Sequence, residues 1–137
     1  MSVDTIQKYN LEAYKLRKPQ KEDLHELFKA CQKNLSEEDK LTIIKAFKLC
    51  YLSHRRIKRA SGEPYYYHPV EVAKIVAKKI NMDVTSVVAA LLHDTIEDTD
   101  VEIDDITHWF GTEVASLING VTKITGVFET RDAKQAE

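Results

Sequence analysis

Residues Val84 to Leu92, reading VTSVVAALL, are apolar on almost every side and run directly into His93-Asp94. A helix of that composition has no solvated face, so it belongs at the centre of a fold, covered from several directions. The rest of the chain supplies the cover. Apolar residues recur at helical spacing, only 4 Gly and 3 Pro interrupt 137 residues, and no segment alternates like a strand. The fold class expected is all-α. A chain of this length can bury a working core without a disulfide or a structural metal.

The elements follow from local signals. Residues 2–16 read as a weakly amphipathic helix or an extended arm, broken by Pro19. A helix is predicted over Lys21 to Lys33, with Leu24, Leu27, Phe28 and Cys31 on one side. Ser36 suits an N-cap, because Glu37, Glu38 and Asp39 then fill the positive first turn of a third helix. Ile43, Ala46, Phe47, Cys50, Tyr51 and His54 form its apolar stripe, which ends in a histidine. A loop over Arg55 to Tyr67 is first basic (Arg55, Arg56, Lys58, Arg59), then turn-forming, then aromatic, and ends at His68. Pro69 suits the first turn of a helix burying Val72, Ala73, Val76 and Ile80. Asp83 or Thr85 caps the central helix. Gly111 stops a short helix carrying Ile103, Ile106 and Phe110, and Thr112 starts another with Val114, Leu117, Ile118 and Val121 on one face. Beyond Gly126 the chain turns polar, and residues 131–137 read as the start of a further helix. Residues 1–35 are set apart as an N-terminal helical arm, and 36–137 as the main domain.

Composition excludes several classes. Charged residues make up 31% and the net charge is −2, so the basic footprint of a general nucleic-acid binder is missing. Cys31 and Cys50 lack any metal or disulfide spacing and read as thiols of a reducing compartment. The start, MSVDTIQKYN, has no apolar signal core, and no run is long enough to span a bilayer. A cytoplasmic protein without membrane or nucleic-acid partners is expected.

The chemistry concentrates at the end of the central helix. If that helix continues past His93 and Asp94, Glu97 lies over the first and Asp98 over the second. One imidazole and three carboxylates then share a turn. Such a group is costly beside an apolar helix unless it is paired or bound to a metal. The plainer alternative is a solvated acidic turn, against which the flanking VVAALL argues. Likewise His68 could cap or pack, His54 could be a satisfied core histidine, and the basic loop could be a solvated turn. His25 and His108 read as surface residues.

Taken together, HRRIKRASGEPYYYHPVEVA, AALLHDTIEDTDV and FGTEVASLINGVTKITG resemble the hydrolase domain of the bifunctional RelA/SpoT-type alarmone enzymes, over about Ser36 to Gly126. The resemblance implies an all-helical HD-type bundle holding one Mn²⁺ and hydrolysing the 3′-pyrophosphate of guanosine alarmones. By position, His68, His93 and Asp94 match metal ligands, and Glu97 and Asp98 match the catalytic acidic pair. Arg59 matches an arginine near base and phosphates, and Ser61, Gly62 and Tyr65 match the substrate-side loop. His54 matches a motif histidine.

Two departures stand out. Arg56 and Ile57 replace the family's Gly-Gln, and the later K-L-A-D-R segment with a further ligand aspartate does not occur before Glu137. The resemblance therefore leads us to expect a bundle truncated on its C-terminal side, a weakly held metal and a weak or inactive hydrolase. Val87, Val88 and Leu91 would be partly uncovered, leaving a homodimer through that apolar surface open. The other readings are an HD-type phosphohydrolase for a different nucleotide, separable by nucleotide competition, and a non-catalytic regulatory module, against which the intact His-Asp pair argues.

Overall fold

The computed structural model describes residues 8–31, 35–55, 57, 65–78 and 83–120. Helix α1 spans Lys18–Ala30, α2 Glu37–His54, α3 Tyr67–Lys78, α4 Val84–Leu92, α5 Thr95–Asp98 and α6 Ile103–Phe110. Residues 112–120 form α7. Among the described residues there is no strand, as the all-α reading requires. No helix there is long and apolar enough to cross a membrane.

Local chemistry sets the helix boundaries. Ser36 caps α2: its Oγ accepts from the Asp39 amide at 3.0 Å, and the Asp39 carboxylate accepts from the Ser36 amide at 3.4 Å. Asp83, not Thr85, caps α4 by accepting from the Ser86 amide at 2.9 Å. Gly111 ends α6 at φ 97, a left-handed conformation that suits glycine. Pro19 differs from expectation. It lies in the first turn of α1, where a missing N–H costs nothing, so it helps to start a helix that begins at Lys18 and ends at Ala30. The stretch before it, residues 9–17, is not helical.

The core is one cluster centred on α4. Helix α4 lies against α2 and α3, and α1 packs mainly on α3. Val87, Val88 and Leu91 are 2%, 0% and 0% exposed. The partial exposure expected for them is therefore wrong: α2 and α3 already flank α4. From α2 come Ile43, Ala46, Phe47, Leu49, Cys50 and His54. Helix α3 buries Val70, Ala73 and Ala77, whereas Val72 and Val76 are only half-buried. Small side chains at the contact let α3 and α4 approach closely. In α7, Val114, Ala115 and Ile118 face inward, and Leu117 is 38% exposed instead of buried. Leu24 and Leu27, from the stretch read as an arm, belong to the same core. Ile80, Val121 and residues 131–137 lie outside the described residues.

The segment before α1 is also fastened to the fold. Tyr9 is buried, and its hydroxyl donates to Asp100 at 2.6 Å, while Lys8 Nζ donates to the same carboxylate at 2.9 Å. These bonds anchor the turn that follows α5.

Candidate functional site

The apolar helix α4 stops at Leu92, and the backbone turns before α5 begins at Thr95. His93 keeps helical angles (φ −60, ψ −33), but Asp94 opens to φ −92, ψ −6. In a continuous helix these two side chains would diverge by about 100°. The turn instead brings His93 Nε2 within 3.1 Å of Asp94 Oδ2. The new turn is held by Asp98 N donating to Asp94 O at 3.0 Å and Thr99 N to Thr95 O at 3.1 Å. The helix is thus interrupted at 93–94, and the acidic residues that follow it stand on a separate short turn.

His68 arrives from a different element. It lies in the first turn of α3, where its amide donates to the Tyr65 carbonyl at 3.2 Å and Pro69 follows it. Its Nε2 lies 3.8 Å from Asp94 Oδ2, and its ring centroid is 5.9 Å from that of His93. One ligand atom from each of His68, His93 and Asp94 falls within 4.8 Å of the other two, and all three residues are half-buried. Among the described residues this is the only such metal-competent group.

The donor chemistry fits a divalent cation. His93 Nδ1 donates to the Ala90 carbonyl at 2.6 Å, which leaves Nε2 with its lone pair directed toward the cluster. Three such atoms within 4.8 Å of one another are close enough for one cation to be shared between them. Burial opposes protonation of His93. The hydrogen bonds to Asp94 and Ala90, with the charges of Asp94 and Asp98, outweigh it and hold the imidazole above its ordinary value. Burial would also raise the Asp94 carboxyl, but His93, His68 and His54 bring it below its ordinary value. The cluster is therefore a place where positive charge is stabilised.

The acidic pair stands beside it. Glu97 and Asp98 are both exposed. Asp98 accepts a 2.6 Å hydrogen bond from the Tyr65 hydroxyl. Sequence reasoning put Tyr65 on a substrate loop and did not foresee this bond. No spacing rule could have found it, because 33 residues separate the partners. His54, at the end of α2, is 1% exposed and stacks on Tyr65 with centroids 4.8 Å apart and planes at 4°. Its Nδ1 donates to the Cys50 carbonyl at 2.9 Å, and its Nε2 has no hydrogen-bond partner among the described residues. Burial holds this imidazole below its ordinary value, against the pull of Asp98 and Asp94. Thr95 is also fully buried, its hydroxyl has no hydrogen-bond partner among the described residues, and the sequence reading passed over it. Arg59, Ser61 and Gly62 lie outside the described residues, as do Arg56 and Lys58. His25 and His108 are exposed, as expected.

Comparison with known proteins places these features in context. Residues 46–137 match the HD domain family. A guanosine-3′,5′-bis(diphosphate) 3′-pyrophosphohydrolase of Borreliella burgdorferi is 37% identical over 134 residues, covering 96% of this chain and 20% of its own length. The protein of the same name from Vibrio cholerae is 46% identical over 85 residues, 62% of this chain and 12% of its own. A GTP pyrophosphokinase rsh of Brucella melitensis is 38% identical over 114 residues, 82% of this chain and 15% of its own. The chain thus spans a fifth or less of the length of these relatives.

Proposed function

This chain belongs to the HD domain family, and we propose that it hydrolyses the 3′-pyrophosphate of guanosine 3′,5′-bis(diphosphate) and its 5′-triphosphate analogue. The observation that carries this reading is the convergence of His68, His93 and Asp94 next to an exposed acidic turn. Two of the relatives are named as hydrolases of this substrate, and the alignment with one of them, over 134 residues, takes in that region. We assign hydrolysis, and not pyrophosphoryl transfer, because an imidazole and carboxylate cluster suits activation of water.

His68, His93 and Asp94 would hold one divalent cation, which we take to be Mn²⁺, since two imidazoles and a carboxylate without thiolates suit that ion. Such a cation lowers the pKa of water toward neutrality and so makes a nucleophile available. Glu97 and Asp98 orient the water and accept its proton. The water oxygen bonds to the phosphorus attached to the ribose 3′-oxygen, the bond to that oxygen breaks, and the 3′-oxygen takes up a proton. GDP or GTP and pyrophosphate are released. Arg59, assigned by resemblance, offsets phosphate charge, and Ser61 and Gly62 complete the substrate-side loop.

The test is release of pyrophosphate from guanosine 3′,5′-bis(diphosphate) by the chain with Mn²⁺. The expected result is slow turnover, in keeping with the weak hydrolase that the sequence leads us to expect, which chelator removes and His93→Ala abolishes. Equal release from wild type and His93→Ala would overturn the assignment, and preference for an unrelated nucleotide in competition would overturn the substrate.

A further inference from the structure

We propose that His54 and Tyr65 form a positioning pair that fixes the carboxylate of Asp98. What Asp98 does in turnover rests on the hydrolase reading above; how it is held does not.

Asp98 is an exposed residue on the short helix α5. An exposed aspartate ordinarily exchanges among rotamers. Here Oδ2 accepts the Tyr65 hydroxyl at 2.6 Å, which restrains the carboxylate to one orientation. The hydroxyl is only as well placed as the ring that carries it. The Tyr65 ring lies flat on His54, with planes at 4° and centroids 4.8 Å apart. His54 cannot shift easily: it is 1% exposed, and its Nδ1 is bonded to the Cys50 carbonyl one turn back in α2 at 2.9 Å. The Tyr65 backbone is tied as well. Its amide donates to the Ile57 carbonyl at 3.3 Å, and its carbonyl accepts from the His68 amide at 3.2 Å.

The rigid interior of α2 is thereby transmitted, through two stacked rings, to a carboxylate on the surface turn. The same Tyr65 backbone also joins the first turn of α3, so Asp98 is held in register with His68. Tyr65 thus has a duty beyond lining a substrate loop, because its hydroxyl is committed to Asp98. A misplacement of about 1 Å at a reacting group can cost about a hundredfold in rate, which is the scale of effect that such a support would prevent.

The experiment uses the full chain with Mn²⁺ and three variants. Tyr65→Phe removes only the hydroxyl, His54→Ala removes the platform, and His54→Phe keeps a flat ring there. Tyr65→Phe and His54→Ala are expected to lower kcat by about 10- to 100-fold with KM little changed. That pattern marks an interaction realised in the transition state and not in binding. His54→Phe should restore most of the turnover lost in His54→Ala. Thermal melts and Mn²⁺ content of each variant separate loss of fold or metal from loss of positioning. Proton NMR supplies a readout that needs no turnover. The Hα–Hβ couplings of Asp98 are expected to show one χ1 rotamer in wild type and His54→Phe, and rotamer averaging in Tyr65→Phe and His54→Ala. A raised KM with unchanged kcat in Tyr65→Phe would overturn the proposal by making Tyr65 a substrate contact. So would a His54→Phe protein as slow as His54→Ala, which would put the function in the ring nitrogen. If wild type releases no pyrophosphate, the hydrolase reading falls alone. The Asp98 rotamer then still decides the positioning pair, and a single fixed rotamer in His54→Ala would sink it.

Discussion

His93 Nε2 stands 3.1 Å from Asp94 Oδ2, while the opposite nitrogen of the same ring donates to the Ala90 carbonyl at 2.6 Å. With the Nδ1 proton engaged, a neutral His93 turns a lone pair toward a carboxylate. Two facing lone pairs repel unless positive charge lies between them. A proton on Nε2 meets that need in the metal-free chain, and a shared cation meets it better, because His68 can join on the open side.

Mn²⁺ should therefore stabilise the folded chain, and the effect should depend on Asp94. At about 100 times its Kd, a ligand that binds only the folded state adds about 2.7 kcal/mol. Wild type should melt higher with Mn²⁺ than with chelator, and Asp94→Asn should lose most of that rise. An equal rise in both proteins would place the ion elsewhere.

Cys50 should be chemically silent in the folded chain. It is fully buried, and burial together with the charge of Asp94 pushes its thiol well above the usual range. Cys31 is only half-buried, and burial raises its thiol too. A thiol reagent at neutral pH should modify Cys31 slowly and Cys50 only after denaturant is added. Prompt labelling of both would contradict the packing described for α2.

Leu91→Ala should cost about 2–5 kcal/mol, the usual range for emptying a fully buried leucine site. Leu91 is 0% exposed and sits two residues before His93. Urea unfolding measures the loss, and Mn²⁺ affinity should fall with it, because the cavity opens in the last turn of the helix that carries His93.

The metal-free chain should lose stability on acidification through His54. Burial keeps its folded-state pKa below the ordinary 6.5; His93 adds to that effect, while the Cys50 carbonyl, Asp98 and Asp94 oppose it. The unfolded chain thus takes up a proton first as pH falls. The stability from a neutral buried His54 is complete above about 6.5 and is lost as pH falls through the lower folded value. Unfolding free energies of wild type and His54→Phe, compared from about pH 8 to about pH 5, should show a difference that moves against wild type on acidification. A constant difference would mean that His54 does not titrate in this window.

The sequence by itself determined the helices and where most of them begin. Ser36, Asp83 and Gly111 act within one turn of their own residues, so capping and chain-reversal chemistry is readable from neighbours. It also determined that α4 is central, because a segment with no polar face has nowhere else to go. By resemblance of motif order it pointed to His68, His93, Asp94, Glu97 and Asp98 as one site.

It was less reliable wherever two surfaces must choose each other. Pro19 looked like a breaker and is part of a helix start, since the missing N–H and ring clash that break a helix interior cost nothing in a first turn. Leu117, placed on the apolar face by its spacing, is exposed while Ala115 is buried, because the face buried is set by the neighbour. Val87, Val88 and Leu91 looked exposable and are covered.

The finest features of the site were decided only by the tertiary structure. The break between Leu92 and Thr95 turns Asp94 onto His93, and the packing of α3 on α4 carries His68 to the same place. The stack of Tyr65 on His54 sets the hydroxyl on Asp98. These are contacts between groups far apart in the chain, held by the close packing of several helices at once, and no local propensity encodes them.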